Sequence, residues 1–191
     1  MNMKRYAVIA LLSILLVVLA FIFFRNENNG NGSTVPPPVS LTEYESSEPG
    51  ETQEVTLFFL SEDDDLLHPE IRKIPANADL SGKARRIVEE LIRGPQSGLV
   101  SPFPRETRLR NFFLTDEGVA YVDFSKEFMN KHLSGSSAEI ATVYSVVNTL
   151  AFNIDEIKKV FILANGKEQE TLGGHVNLSR PFLPFYNLIV Q

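Results

Sequence analysis

The stretch SSAEIATVYSVVNTLAFNIDEIKKVFILA, residues 136–164, reads as a helix running into a strand, and the order of the whole fold follows from it. Ile140, Val143, Tyr144, Val147 and Ala151 recur at helical spacing, which predicts a helix over Ala138–Phe152. Ser136 and Glu139 match the S-x-x-E pattern of a capping box at its start. Asn148 falls on the apolar side, one turn from Tyr144 and Ala151, where an amide is expected to serve structural hydrogen bonding. KKVFILA (Lys158–Ala164) then supplies a strand, and Asn165-Gly166 turns it into a short KEQET strand.

Working outward, TRLRNFFL (Thr107–Leu114) and VAYVDF (Val119–Phe124) flank the turn TDEG and predict a hairpin. EVTLFFL (Glu54–Leu60) is β-branched and aromatic enough for a strand. Ala84, Ile87, Val88, Leu91 and Ile92 mark one face of an amphipathic helix that Gly94 and Pro95 stop. SEDDDLLHPEIRKIPANADL, between that strand and that helix, reads as a polar loop punctuated by proline. The order β-α-β-β-α-β with a terminal hairpin strand predicts an α+β fold. Its layout is a split βαβ, ferredoxin-like or ring-building-motif-like, with both helices on one face of a mostly antiparallel sheet.

At the other end of the chain, Tyr6–Phe24 is a 19-residue run in which fourteen residues are Leu, Ile, Val or Phe. At about 1.5 Å per residue it spans roughly 28 Å, close to the hydrocarbon thickness of a bilayer. A cleaved signal peptide fits less well, because the run is long and ends in AFIFFRNE without a small-x-small site. Lys4 and Arg5 outweigh Arg25, so residues 1–5 are expected on the cytoplasmic side, with the span at 6–24 in the bacterial cytoplasmic membrane. Residues 25–53, rich in Asn, Gly, Ser, Pro and Glu, lack the apolar surface to offset their ordering entropy and read as a linker. Residues 54–191 then form an extracytoplasmic domain. Beyond Arg25 the chain holds 15 basic and 24 acidic residues, which argues against nucleic acid as a partner. With no Cys there is no disulfide, thiolate nucleophile or lipid-modified cysteine.

Candidate chemistry is sparse. ANGKEQETLGGHVNLSRP (164–181) joins Gly-Lys to a glycine pair and a histidine, yet Phe161 and Glu168 stand where a phosphate loop needs Gly and a hydroxyl. Gly173 and Gly174 are expected to take positive φ, with His175 on the surface. His68, His132 and His175 form no H-E-x-x-H. Asp63, Asp64, Asp65, His68 and Glu70 lack calcium-loop spacing and read as a solvated acidic loop, so no metal and no cofactor is expected. Asp123 shares a strand face with Val119 and Tyr121, and Ser125 is placed to cap the KEFMN turn; both read as structural. RPFLPFYNLIVQ at the end is expected to close the core as an added strand, the alternative being an exposed apolar patch.

Four blocks carry a resemblance: LIRGPQSGLVSPFPRETRL, GVAYVDFSKEF, YSVVNTL and VFILANGKEQETLGGHV, in this order. Together they resemble the GerMN domain family over residues 54–179, in a single copy. The resemblance implies an exported, non-enzymatic binding or assembly module of the cell envelope, linked to sporulation, germination or cell-wall processes. It implies an envelope protein or cell-wall ligand as partner, and self-association of copies. Its recurrent positions here are Gly94, Pro95, Gly98, Pro102, Pro104, Asp123, Phe124, Ser125, Asn148, Gly166, Gly173, Gly174 and His175. Because scaffold-borne loops often carry binding, the expected contact residues are Ser101, Pro102, Phe103, Pro104, Gly173, Gly174 and His175. The rival class is a cell-wall glycan hydrolase using a carboxylate pair such as Asp123 and Glu127.

Overall fold

The computed structural model describes residues 51–76, 79–129 and 135–191. The predicted stub, span and nearly all of the linker, together with His132, lie outside these residues. Among the described residues no helix is long and apolar enough to cross a membrane.

The described chain is an α+β domain of two sheets and two helices. The first sheet pairs β1 (Thr52–Leu60) with β2 (Leu67–Pro75) antiparallel. Helix α1 (Leu80–Arg93) follows. The second sheet has the order β3-β4-β5, with β3 (Leu109–Leu114) antiparallel to β4 (Val119–Phe124) and β4 parallel to β5 (Lys159–Ala164). Helix α2 (Ser136–Asn153) makes the crossover that a parallel neighbour requires. One core joins all of it. Val55, Leu57 and Phe59 of β1, Ile87, Val88 and Leu91 of α1, Val146, Val147 and Leu150 of α2 and Val122, Val160 and Ile162 of the second sheet pack in a single buried cluster. Each helix touches both sheets, α1 through β1 and β3, α2 through β1 and β5.

The expected single sheet is therefore divided, and the reason lies on the free edge of β1. Odd-numbered β1 positions face the bonds to β2, a parity that continues past both strand ends as Ala76 N–H to Glu51 C=O (2.7 Å) and Ser61 N–H to Leu66 C=O (2.9 Å). Even-numbered positions point the other way, where a third strand would ordinarily add. Helix α2 occupies that place with side chains. The Thr56 N–H donates to Asn153 Oδ1 (2.9 Å), and Asn153 Nδ2 donates back to the Thr56 C=O (2.7 Å). One step along, the Phe58 N–H donates to Thr149 Oγ1 (3.1 Å) and Ser145 Oγ donates to the Phe58 C=O. Val100 N–H closes the row on the Leu60 C=O (2.9 Å). Ser145, Thr149 and Asn153 recur every fourth residue, so they align on one helix face and serve as a polar substitute for a strand.

Strand β2 corrects the loop expected between β1 and α1. Its sequence LHPEIRKIP breaks the strand pattern with two prolines and four charged or titratable side chains. Pro69 and Pro75 both sit opposite even-numbered β1 residues, Phe58 and Thr52, where the missing N–H faces away from the partner strand. The charged positions are absorbed by pairing. Arg72 is buried, with Nε to Glu70 Oε1 (2.7 Å), Nη1 to Glu90 Oε2 (3.2 Å) and Nη2 to the Gly94 C=O (2.8 Å).

The C-terminal segments also depart from expectation. KEQET is not a strand, and its ends make only single bridges, Lys167 to Ala164 and Thr171 to Asn177. RPFLPFYNLIVQ forms no strand, only a 3-10 turn at Tyr186–Leu188, yet it holds both sheets: Phe182 exchanges two backbone bonds with Val160 of β5, and the Val190 N–H donates to the Leu67 C=O of β2. Phe185 and Tyr186 remain a little under half exposed.

Asn153→Ala leaves the Thr56 N–H and C=O without partners while removing little apolar area, so it is expected to destabilise the domain by about 1–3 kcal/mol. Urea unfolding checks this: the midpoint should fall with an unchanged slope, and a midpoint equal to that of the parent protein would contradict the edge-capping role.

Candidate functional site

The two loops singled out from the sequence, 101–104 and 173–175, both rest on the N-terminal half of α2. Glu139 fixes the second of them. Its side chain is 1 % exposed, although the capping-box reading would place it at a solvent-facing helix start. The box is not formed: Gly135 is the N-cap and no side chain caps the helix. Glu139 instead crosses to a segment 36 residues away, accepting the N–H of His175 (3.1 Å) and of Val176 (2.9 Å) on Oε2, while Oε1 lies 2.7 Å from His175 Nδ1. Burial alone would raise this carboxyl, but the His175 ring and the Val176, Gly173 and His175 backbone outweigh it and hold the pKa at about 2.

The same carboxylate explains Gly173. A Cβ there would stand 2.6 Å from Glu139 Oε1, so the residue is small because the acid passes close by. Gly173 does not take the positive φ expected of it; only Gly174 does, at 109°. His175 is more than half exposed, as its surface placement anticipated, and its buried acid partner was invisible to local spacing.

Phe103 anchors the other loop. It is buried, with its ring 5.8 Å from that of Phe124 and 6.1 Å from that of Phe128, so the expected contact residue belongs to the core. The Thr142 hydroxyl, three residues along α2 from Glu139, lies 2.9 Å from both the Pro102 C=O and the Ala138 C=O and shares its one proton between them, and Ser101 Oγ accepts the Phe103 N–H (3.3 Å). Ser101, Pro102 and Pro104 keep partial exposure. Ile140, expected in the apolar stripe, is 37 % exposed, and the buried centre of α2 runs through Val143, Val146, Val147 and Leu150.

The remaining polar candidates hold backbone. Asn148, fully buried, exchanges two bonds with Phe185, Nδ2 to its C=O (3.0 Å) and its N–H to Oδ1 (2.8 Å). Asp123 accepts the Gly166 N–H on Oδ1 (2.7 Å) and lies 3.6 Å from Arg110 Nη1. That pins the turn at Asn165 and Gly166, whose φ values of 53° and 73° are the left-handed pair such a turn needs. Ser125 Oγ accepts the Arg108 N–H (3.1 Å). Glu127 lines an open cleft of about 720 Å³ that Asp123 does not line. In the acidic loop, Asp64 pairs with His68 (2.8 Å), while Glu70 turns away to Arg72 and to Gln96 and Ser97. No group of three potential metal ligands forms among the described residues.

Sequence reasoning missed the Glu139–His175 contact, the Arg72 network and the β1 edge cap. One signal was present: in 18 residues α2 has a single charged side chain, Glu139, too few for a helix with a solvated face.

A small α+β domain whose buried polar side chains brace its loops is the class this architecture defines. The chain belongs to the family described as Germane, sporulation and spore germination, whose model matches residues 56–170. Among solved structures, a protein of Clostridium perfringens described as a lipoprotein is similar at 25 % identity and TM-score 0.51, over 73 % of this chain and 93 % of that one. The tandem GerMN domains of the sporulation protein GerM from Bacillus subtilis match at 25 % identity and TM-score 0.57, over 70 % of this chain and 46 % of theirs. The first of those domains alone shares the fold at 23 % identity and TM-score 0.54, over 70 % of this chain and 98 % of that one. No curated protein matches.

Glu139 and Glu70 are both held at about 2 against an ordinary value of 4.5. For Glu70 burial opposes the shift, and bonds from Ser97, Gln96 and Arg72 outweigh it. Unfolded chains bind these protons first, so stability present above pH 4.5 is lost as pH falls towards 2. Glu139→Gln is expected to lower stability at pH 7 by on the order of 3 kcal/mol and to flatten part of that acid limb. His175→Ala, at an exposed ring, should cost less than about 1 kcal/mol. Urea unfolding across pH 2–7 reads both effects. A Glu139→Gln variant as stable as the parent at pH 7 would refute the anchoring role.

Proposed function

We propose that this chain is a membrane-tethered, extracytoplasmic binding or assembly module of the bacterial cell envelope that acts without catalysis, in sporulation, germination or a related cell-wall process. The observation that carries the reading is the use of its buried polar groups. Glu139 Oε2, Asp123 Oδ1 and Asn148 Oδ1 each accept backbone N–H groups of the chain's own loops, while Glu139 Oε1 faces the His175 ring and Asp123 Oδ2 faces Arg110. Groups so engaged stiffen a surface, which favours a scaffold for binding.

The family description supports the process, and the Clostridium perfringens relative described as a lipoprotein supports attachment at a membrane. In this chain the apolar run Tyr6–Phe24 would make that attachment, with residues 25–53 as the tether. Loops 101–104 and 173–175, braced on the same end of α2 by Thr142 and Glu139, form the contact surface in this reading. Its partner is an envelope protein or cell-wall ligand, with self-association as a further outcome, and neither a cofactor nor nucleic acid is involved. The Asp123 contacts with Gly166 and Arg110 weigh against an Asp123–Glu127 hydrolytic pair.

A photoreactive amino acid placed at Pro104 or His175 in cells should give a discrete adduct that is absent when the same probe replaces Glu117, in the β3–β4 turn. Protease added outside spheroplasts should remove the domain. Equal labelling from Glu117, or a domain protected until the membrane is breached, would overturn the proposal.

A further inference from the structure

The carboxyl ends of the parallel strands β4 and β5 open onto the 720 Å³ cleft that Glu127 lines. Ser125 and Lys126 follow β4 directly, Asn165 follows β5, and Arg108 and Arg110 enter from the start of β3. The crevice beyond the carboxyl ends of parallel strands is the habitual ligand position in α/β sheets, because the connections leaving those ends diverge and leave room.

Its charges set it apart from the rest of the domain. Residues 51–191 hold 20 acidic and 15 basic side chains, yet three cations, Arg108, Arg110 and Lys126, line this one cleft. Arg108 and Lys126 form no ion pair among the described residues. Arg110 is oriented and partly neutralised: Nη1 donates to Asn165 Oδ1 (3.1 Å) and lies 3.6 Å from Asp123 Oδ2, and the turn that carries Asn165 is itself pinned by Asp123. Two carboxylates, Glu106 and Glu127, face the same space. A hydrogen bond with Ser125 first and one with its own backbone N–H second lower the Glu127 pKa from its ordinary value, with smaller contributions from the charges of Lys126 and Arg108.

We propose that this cleft binds a zwitterionic peptide group, its carboxylate received by Arg108, Arg110 and Lys126 and its ammonium by Glu106 and Glu127. The mixed lining decides the class. A phosphate would gain the three cations but meet two negative neighbours, and a simple amine would meet three positive ones; a zwitterion satisfies both signs at once. The planar Arg fork suits a carboxylate in particular. This rests on the binding-module reading and deepens it by naming a ligand class at a cleft whose lining includes none of residues 101–104 and 173–175.

The test uses the full chain in detergent micelles, titrated calorimetrically with trialanine, N-acetyl-trialanine, trialanine amide and inorganic phosphate. Trialanine should bind saturably below about 10 mM, and capping either end should weaken it about tenfold or more, with phosphate no better than the capped peptides. The exposed pair Arg108→Ala and Lys126→Ala should abolish binding with an unchanged melting temperature, and Glu106→Gln with Glu127→Gln should erase the preference for trialanine over its N-acetyl form. No saturable trialanine binding, equal binding of all three peptides, or tighter binding of phosphate would each overturn the proposal. A null titration beside an intact His175 crosslink removes the cleft assignment alone; loss of both removes the binding-module reading as well.

Discussion

A β-strand with an unpaired edge presents a row of N–H and C=O groups that must find partners, and this domain meets that demand with a helix. Asn153, Thr149 and Ser145 of α2 bond to Thr56 and Phe58 where another strand would lie. From that one arrangement much of the architecture follows. The β1–β2 hairpin cannot extend into the second sheet, so two sheets share one core across two helices. Once α2 is committed to a buried position, its other polar side chains must also be satisfied internally, and the nearest unsatisfied backbone belongs to the irregular segments. Glu139 takes the 173–176 loop, Thr142 takes Pro102 and Asn148 takes Phe185. Loops that in isolation would be costly to order are thus held by single side chains of one rigid element.

Much of this was legible in the sequence and some was not, for physical reasons. The hairpin at TDEG, both helices, the strands β1 and β5 and the Asn165-Gly166 turn follow from local periodicity and turn chemistry, and the structure holds them within a few residues. Strand β2 was hidden because its prolines and charges mimic a loop. Only the register on β1 shows that Pro69 and Pro75 fall where no donor is needed, and only the packed structure shows Arg72 neutralised by Glu70 of its own strand and Glu90 of α1. The single mostly antiparallel sheet failed as an expectation because edge capping by side chains has no sequence signature shorter than the helix itself.

At the site, the glycine pair and His175 share features with catalytic loops, and the structure shows a packing role for two of the three. Gly173 makes way for a carboxylate, and His175 covers it. Glu139 looked like a capping residue because S-x-x-E is a local pattern, whereas its true partners lie 36 residues on. Phe103 is expected at a contact surface because it lies in a scaffold-borne loop, but its ring completes the cluster with Phe124 and Phe128. Polar groups directed inward hold the shape, and the mixed-charge cleft directed outward is the place of the proposed ligand.

Amide hydrogen exchange tests the central claim most directly. If α2 is the brace, the N–H groups of Thr56, Phe58, His175, Val176 and Phe185, which donate to its side chains, should exchange as slowly as the core amides of β4 and β5, through global opening only. Exchange of these five at the rate of ordinary turn amides, while β4 and β5 stay protected, would show that the helix lies beside these segments without holding them.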